Sequence, residues 1–199
     1  MIKIGITGGI GSGKSIVAEL MQVMKIPVYN ADNAAKAILK TNPSVQDKLR
    51  ILLGNAIFND GELDKARMAF LIFNNQELLA QTNAIVHPAV FQDFEEWCER
   101  QQSDMVACES AIIFESNKFR YLDCVITVFT PIKIRMERAM LRDHATEEQV
   151  WSRMKNQMPE EEKVTLADYV LVNDGLQAII PQLHQILIAI RSRFKSHSF

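Results

Sequence analysis

The amino-terminal segment restricts the possible folds of this chain more than any other stretch. Apolar residues alternate over positions 2–6, four glycines follow within positions 8–13, and an apolar pattern with helical spacing begins at Ser15. The alternating run predicts a β-strand and the later spacing predicts an α-helix. Residues 8–15 also match the pattern G-x-x-x-x-G-K-S. A strand, a glycine-rich turn and a helix in this order predict a loop that binds phosphate groups.

This loop has the residue types that polyphosphate binding requires, although a glycine-rich turn that ends in Gly-Lys-Ser by chance is the alternative. Side chains at the glycine positions would block the phosphates or the turns with positive φ. Lys14 places a positive charge near the β- and γ-phosphates, and the Ser15 hydroxyl can bind Mg²⁺. No three glycines have the G-x-G-x-x-G spacing of a dinucleotide site, so we expect a nucleoside triphosphate. The residues expected to hold it are Gly9, Gly11, Ser12, Gly13, Lys14, Ser15 and Ile16.

Composition and charge narrow the setting in which such a loop can act. The chain has 199 residues, enough for one domain with a helical insertion, and a net charge of −2. That charge gives no electrostatic case for nucleic acid or a membrane as a partner. No apolar run approaches the roughly 18 residues that cross a bilayer. The three cysteines are widely spaced in apolar segments, so we expect a cytoplasmic protein with buried free thiols.

Asp32 follows the second predicted strand, residues 26–29, and is a candidate catalytic side chain. Ligands of open parallel sheets gather at the carboxyl ends of the strands, so Asp32 is expected at the same edge as the phosphate loop. A carboxylate there can orient an acceptor hydroxyl and take its proton. The alternative role is an N-cap for a helix over 33–40, and the sequence leaves both roles open.

Residues 42–102 show helical spacing without a confident strand, whereas the rest of the chain alternates strands and helices. Such a segment predicts a helical insertion that binds a substrate. A long helical run from Gln76 to about Arg100 contains Pro88, which should start a new helix or kink this one. His87 at that bend is either a structural histidine or a substrate contact.

Charged residues follow two further predicted strands, over 105–108 and 124–129. Glu109 ends the first of them, where nucleotide enzymes often hold an acidic residue near Mg²⁺. Arginines at helical spacing follow the second, and they are candidate phosphate clamps, with a solvated basic face as the alternative. These arginines are Arg135, Arg138 and Arg142. Later in the chain, residues 159–163 are predicted to be acidic and exposed, and 169–172 to form the fifth strand.

Segments along nearly the whole chain resemble the dephospho-CoA kinase family. They are similar to its opening and to its motifs D-A-D-x-x-A, L-D-R-x-x-L, I-x-H-P, P-L-L-F-E, R-x-x-x-R-D, R-x-x-x-Q and A-D-x-x-x-x-N-x-G. The matching segments are residues 6–15, Asn30-Ala31-Asp32 with Ala35, Leu63-Asp64-Lys65, Ile85-Val86-His87-Pro88, Ile112-Ile113-Phe114-Glu115, Arg138 to Asp143 with Arg153 and Gln157, and Ala167 to Gly175. The departures from the family pattern are Ile16, Asn30, Lys65 and Ala111.

The resemblance implies an α/β fold of the P-loop NTPase type, in three layers, with a five-stranded parallel sheet, a helical substrate-binding insertion and a lid. It implies a single kinase domain over 1–199. The implied boundaries are a core at about 1–32, 103–137 and 164–199, an insertion at about 33–102 and a lid at about 138–163. The implied reaction is phosphorylation of the ribose 3′-hydroxyl of dephospho-CoA by ATP with Mg²⁺, in a monomer or small homo-oligomer.

The resemblance also implies roles for particular residues. The catalytic residues would be Lys14, Asp32 and Arg142. ATP would also contact Arg138, Asn173 and Gly175, and Mg²⁺ would bind near Ser15 and Glu109. The residues that would contact dephospho-CoA are Asp32, Lys65, Arg67, His87 and Glu115.

Two other functions stay open from the residues. A nucleoside or nucleotide kinase of the same P-loop class would share the loop and the arginines. A non-catalytic nucleotide-binding switch is the second alternative. A GTPase switch would need an N-K-x-D guanine reader, which this chain lacks, and a non-catalytic module would not need arginines near the phosphates.

Overall fold

A computed structural model describes residues 1–59, 62–73, 75–116 and 118–195. The last four residues of the predicted core segment 164–199 therefore lie outside the described residues. The chain divides into two compact units. The first unit comprises 1–29 and 101–199, and the second comprises 30–100. Among the described residues, no helix is both long enough and apolar enough to cross a membrane.

The first unit is built on a parallel five-stranded sheet, so the predicted fold class is confirmed. The strand order is β2-β5-β1-β6-β7, which places the amino-terminal strand at the centre. The strands are β1 (Ile2–Thr7), β2 (Val28–Asn30), β5 (Met105–Glu109), β6 (Cys124–Phe129) and β7 (Tyr169–Val172). The helices of this unit are α1 (Lys14–Val23), α6 (Ile132–Asp143), α7 (Glu147–Met154), α8 (Glu160–Leu166) and α9 (Ile179–Lys195). A short 3₁₀ helix covers Lys118–Tyr121.

The sheet is covered on both faces because alternate side chains of a strand point to opposite sides. On one face, Ile4 and Ile6 of β1 pack in a core with apolar residues of α1 and α9. On the other face, Val125 of β6 packs with Ile113. A Cβ atom on Gly5 would lie 2.8 Å from Leu122 Cδ1, so a glycine allows this second layer to approach the sheet closely. The sheet and its two covering layers give the three-layer arrangement.

The carboxyl ends of the central strands surround the phosphate loop, as expected for a parallel sheet. The loop joins the end of β1 at Thr7 to the start of α1 at Lys14. The last residue of β5, Glu109, is in register with Ile6 of β1. Thr130 and Asn173 come directly after β6 and β7, so both residues lie at the same edge of the sheet.

The second unit consists mainly of helices, as the sequence predicted, with one short strand pair in addition. Its helices are α2 (Ala31–Thr41), α3 (Pro43–Leu53), α4 (Lys65–Phe73) and α5 (Gln76–Glu99). The strands β3 (Phe58–Asn59) and β4 (Glu62–Leu63) pair antiparallel, and a 3₁₀ helix precedes them at Asn55–Ile57. The helices α2, α3 and α4 all pack against α5, which is therefore the central element of this unit.

Pro88 does not start a new helix, because α5 continues through it. Buried residues recur every fourth position across the proline, at Val86, Val90, Phe94 and Cys98. Pro88 itself is exposed. A proline removes one backbone hydrogen bond from a helix, and here tertiary packing along the buried face outweighs that loss.

Candidate active site

The phosphate loop has the backbone conformation that its glycines predict. Gly11 and Gly13 have φ angles of 79° and 88°. A Cβ atom on Gly11 would collide with the backbone carbonyl of Arg135, and one on Gly13 with the side-chain amide of Asn173. Both conformation and close packing therefore require glycine at these two positions.

Several amide groups of the loop are free to bind an anion. Among the described residues, the backbone N–H groups of Gly11, Gly13, Lys14 and Ser15 donate no hydrogen bond. The last two belong to the first turn of α1, where unpaired N–H groups and the helix dipole favour negative charge. Polyphosphate is the kind of ligand that such a turn binds.

Two side chains that follow β6 and β7 hold the loop through the carbonyl oxygen of Ser12. This oxygen accepts hydrogen bonds from Asn173 Nδ2 at 2.8 Å and from the Thr130 hydroxyl at 2.9 Å. The guanidinium of Arg138 lies 3.4 Å from both the backbone oxygen and the Oδ1 atom of Asn173. Asn173 is buried and supports the loop, whereas Gly175 has no heavy atom within 4 Å of a Cβ position.

Ser15 and Glu109 meet at the end of β5. The Ser15 hydroxyl donates a hydrogen bond of 2.8 Å to Glu109 Oε1. Within the described ranges, no group of three or more His, Cys, Asp or Glu side chains could hold a metal by itself. Mg²⁺ at phosphate sites is bound by one or two protein oxygens together with phosphates and water. This pair of oxygen ligands therefore fits the ion that was expected here.

The three arginines of α6 have different environments. Arg135 is buried and its Nη1 atom lies 3.2 Å from Glu160 Oε1, so the solvated-face alternative is wrong for this residue. Arg138 contacts Asn173, and Arg142 is exposed. Helical spacing placed the three on one face but could not show how deeply each is buried.

Arg142 and Arg153 share one carboxylate. Arg142 donates to Asp143 through Nε at 2.7 Å and Nη2 at 3.0 Å, and Arg153 Nη1 donates to it at 2.8 Å. The Arg142 hydrogen bonds, assisted by Arg153, lower the pKa of Asp143 to about 2. The same contact raises the pKa of the Arg142 guanidinium. Arg142 and Asp143 are therefore both charged at neutral pH.

The prediction that residues 159–163 are exposed is wrong for two of them. Glu160 and Lys163 are buried in α8. Lys163 Nζ donates to the carbonyl of Ala111 at 2.7 Å and lies 3.0 Å from Glu115 Oε1. Glu115 also accepts from the backbone N–H of Met158 at 2.9 Å. Pro159 directly precedes the helix, and Glu160 and Lys163 are three residues apart. These were signals in the sequence for one buried helical face.

Four predicted site residues belong to the second unit: Asp32, Lys65, Arg67 and His87. Asp32 is exposed in the first turn of α2, whose N-cap is Asn30, because Asn30 Oδ1 accepts from the N–H of Asn33 at 2.8 Å. The N-cap alternative for Asp32 is therefore wrong. Two cationic candidates, Lys65 and Arg67, are exposed in the first turn of α4.

Two remaining candidates lie in helices. His87 is partly buried in the middle of α5. Ile16 lies in the first turn of α1 and is about half exposed, at 50%. It is the third residue of α1 and therefore lies close to the phosphate loop, which ends where this helix begins.

A central strand, a G-x-x-x-x-G-K-S loop with free amides and a following helix in a parallel sheet define a P-loop nucleotide-binding protein. The sequence model described as dephospho-CoA kinase matches residues 2–178. The chain belongs to the dephospho-CoA kinase family. It is therefore a kinase of the P-loop class, in a family that acts in coenzyme A biosynthesis with ATP as phosphoryl donor.

Individual relatives agree with this membership. The chain is 41% identical over 187 residues to a dephospho-CoA kinase of Bacteroides fragilis, covering 94% of this chain and 91% of the relative. The solved structure of TT1252 from Thermus thermophilus is 34% identical, with a TM-score of 0.82 and coverage of 96% and 97%. A dephospho-CoA kinase from Campylobacter jejuni has a TM-score of 0.65 over 98% of both chains at 23% identity, which supports the fold alone.

Proposed function

We propose that this protein transfers the γ-phosphoryl group of ATP to the ribose 3′-hydroxyl of dephospho-CoA, producing coenzyme A and ADP. The observation that carries the proposal is the set of free loop amides in a chain of this family. The substrate follows from the name that its relatives bear. The alternative of a non-catalytic switch lacks comparable support, since the arginines that a kinase needs are present on α6.

In the proposed reaction the phosphate loop binds the donor nucleotide. The free amides of Gly11, Gly13, Lys14 and Ser15 and the charge of Lys14 hold the β- and γ-phosphates. Mg²⁺, held by Ser15 and Glu109, would neutralise charge on the phosphates. Arg138 and Arg142 are proposed to contact the phosphate groups, with Asn173 and Gly175 completing the nucleotide site.

Asp32 is proposed to act as the general base. Its carboxylate is exposed and is not needed as a helix cap, which leaves it available to accept the proton of the acceptor hydroxyl. Its position in the first turn of α2 also lets it interact favourably with the helix dipole, so a structural contribution has to be tested separately.

Four further side chains are proposed to contact dephospho-CoA: Lys65, Arg67, His87 and Glu115. Lys65 stands where the family has an arginine, and a lysine offers a point charge in place of a bidentate fork. Arg67 is exposed on the same helical turn and can supply that fork.

The setting of the reaction is also part of the proposal. We expect a monomer or small homo-oligomer in the cytoplasm that has no nucleic acid or membrane partner. The net charge of −2 supports this expectation because a polyanionic surface would be repelled rather than attracted.

The proposal is tested by measuring ADP release with dephospho-CoA, AMP, CMP, shikimate and adenosine as acceptors. We expect Mg²⁺-dependent turnover with dephospho-CoA and a new 3′-phosphomonoester in the phosphorus NMR spectrum of the product. Phosphorylation of AMP without reaction on dephospho-CoA would instead assign the chain to the nucleotide kinases.

The same assay tests Asp32 through the variant Asp32→Asn. General-base help is worth roughly 10²–10⁴ in rate, so kcat should fall by about that factor while ATP affinity is retained. Asp47→Asn is the matched control, because Asp47 is an exposed carboxylate on α3 of the same unit. An Asp32→Asn variant with normal kcat and reduced melting temperature would leave this residue with only a structural role.

A further inference from the structure

Side chains from the segment that follows α7 bind the first half of the phosphate loop. The backbone N–H of Gly9 donates to Glu160 Oε1 at 2.8 Å. The next N–H, of Ile10, donates to Gln157 Oε1 at 2.9 Å. These two amides precede the four free amides, so the loop is held through one set of donors while another set stays open for phosphate. The free amides are those of Gly11, Gly13, Lys14 and Ser15.

Glu160 is in turn fixed by Arg135 of α6. Their closest atoms are 3.2 Å apart, and the exposed fractions of the two side chains are only 9% for Arg135 and 4% for Glu160. A Cβ atom on Gly9 would lie 2.5 Å from Glu160 Oε1 and would collide with the Arg135 guanidinium. Glycine at this position therefore lets the charged pair pack directly against the loop backbone.

Stability alone is a poor explanation for this pair. Two of its buried atoms, Glu160 Oε2 and Arg135 Nε, have no hydrogen-bond partner in the described part of the chain. Burial also raises the pKa of Glu160, although Arg135, Lys163 and the Gly9 N–H act in the opposite direction. Buried ion pairs often stabilise a fold less than apolar residues of similar size, and they can instead specify one conformation.

We propose that Arg135, Gln157 and Glu160, here called the loop bracket, are positioning residues that set the phosphate loop in its ATP-binding conformation. The bracket fixes the peptide groups of Gly9 and Ile10, and these fix the direction of the amides that follow. Gln157 and Glu160 belong to the segment 138–163, which was predicted to form a lid, so the bracket also joins that segment to the loop. This role rests on the proposed function only in taking ATP as the nucleotide.

The experiment measures the Kd for ATP by calorimetry without dephospho-CoA, and then the KM values for both substrates. Glu160→Ala removes the acceptor of the Gly9 N–H, and we expect the Kd and KM for ATP to rise by about tenfold or more. The KM for dephospho-CoA should stay within about twofold, because the backbone amides that Glu160 and Gln157 bind both belong to the loop. Gln157→Ala removes a single hydrogen bond, and its Kd for ATP should rise by about threefold.

Asp168→Ala is the matched control. Asp168 also accepts a backbone N–H, from Val125 at 2.9 Å, and also pairs with an arginine, Arg193, at 2.7 Å. It lies at the start of β7, at the sheet edge opposite the phosphate loop, and is less buried than Glu160. This variant should lower the melting temperature and leave the Kd for ATP unchanged.

Glu160→Gln separates the hydrogen bond from the charge. It keeps an acceptor for the Gly9 N–H, so we expect an ATP affinity closer to wild type than that of Glu160→Ala, even though Arg135 loses its counter-ion. Unchanged ATP affinity in Glu160→Ala, or an equal loss in Asp168→Ala, would overturn the positioning role.

If Glu160→Ala does not fold, the Gln157→Ala variant decides, and unchanged ATP affinity there overturns the role. A wild-type protein that binds ATP but does not phosphorylate dephospho-CoA would contradict the proposed substrate alone. In that case the ATP affinities of the variants would still test the bracket.

Discussion

Residues around the phosphate loop contribute either atoms that hold the backbone or charge that can act on a nucleotide. Ser12 and Asn173 belong to the first kind, since the side-chain amide of Asn173 donates a hydrogen bond of 2.8 Å to the backbone carbonyl of Ser12. Lys14 belongs to the second kind, because it is the first residue of α1 and is partly exposed at the open end of the loop. Loss of either should lower activity, but for different physical reasons.

Lys14→Ala should nearly abolish turnover while the fold is retained. Removing one preorganised donor of this type from a transition state typically costs about 10²–10³ in kcat, and Lys14 also carries a full charge. Lys48→Ala, which removes an exposed lysine from α3, is the control. The measurement is kcat with ATP and dephospho-CoA, together with the melting temperature. A folded Lys14→Ala protein with near-normal kcat would contradict the assignment of the loop.

The catalytic candidates could be named from the sequence, but their environments could not. The loop motif fixed the identity of Lys14 and Ser15, since each position in the motif has a defined chemical role. The partners of Glu160 could not be read in the same way, because Gly9 lies 151 residues away along the chain. Contacts of such long range depend on how the elements pack, and short-range periodicity does not contain that information.

At the scale of elements, the apolar pattern predicted two neighbouring strands of the sheet well. β6 and β7 have the boundaries expected, 124–129 and 169–172, because both are apolar runs in a parallel sheet covered on both faces. β2 is shorter than its apolar run suggested, and α5 continues through Pro88, where the start of a new helix was one of the two predicted effects. In α5, tertiary packing along the buried face outweighed the local signal.

Helix α6 shows how one regular spacing can serve several purposes. Arg135, Arg138 and Arg142 occupy one helical face, yet the first is buried against Glu160 and the last is exposed. In the structure Arg142 is paired with Asp143, whose low pKa keeps this partner ionised at all neutral pH values. For Arg142 to contact a transferring phosphoryl group, it has to exchange or share that partner.

Arg142→Ala should lower kcat far more than it weakens ATP binding. An arginine that stabilises the transferring phosphoryl group is worth roughly 10³–10⁵ in kcat. Arg138→Ala should be milder, since Arg138 lies at hydrogen-bonding distance from Asn173 at 3.4 Å. Arg191→Ala is the control, because that arginine is half exposed and its nearest carboxylate atom is 3.9 Å away. Normal kinetics in both α6 variants would return these arginines to a solvent-facing role.

At the scale of the whole molecule, each of the two units has a buried interior of its own. The interior of the first unit is the sheet with α1 and α9, and that of the second unit is the buried face of α5. The three cysteines are distributed over both units, with Cys98 on α5, Cys108 on β5 and Cys124 on β6. All three are buried and none of them forms a disulfide bond, as the sequence predicted.

Because these thiols are buried, their reaction with a thiol reagent reports local unfolding of the chain. Burial, with a smaller contribution from Asp168, raises the pKa of Cys124 from 9.0 to about 12. At pH 8 its thiolate fraction therefore falls from about one tenth to about 10⁻⁴, and only the thiolate reacts with a disulfide reagent.

We expect negligible labelling of the folded chain and complete labelling in denaturant, measured peptide by peptide in a mass spectrometer. ATP should slow the labelling of Cys108 and Cys124, because a ligand bound only by the native state lowers the population that opens. Rapid labelling of Cys124 under native conditions would contradict this expectation. Each of β5, β6 and α5 carries one cysteine sulfur. The rate at which each sulfur is labelled therefore measures how often its unit opens, without any engineered probe.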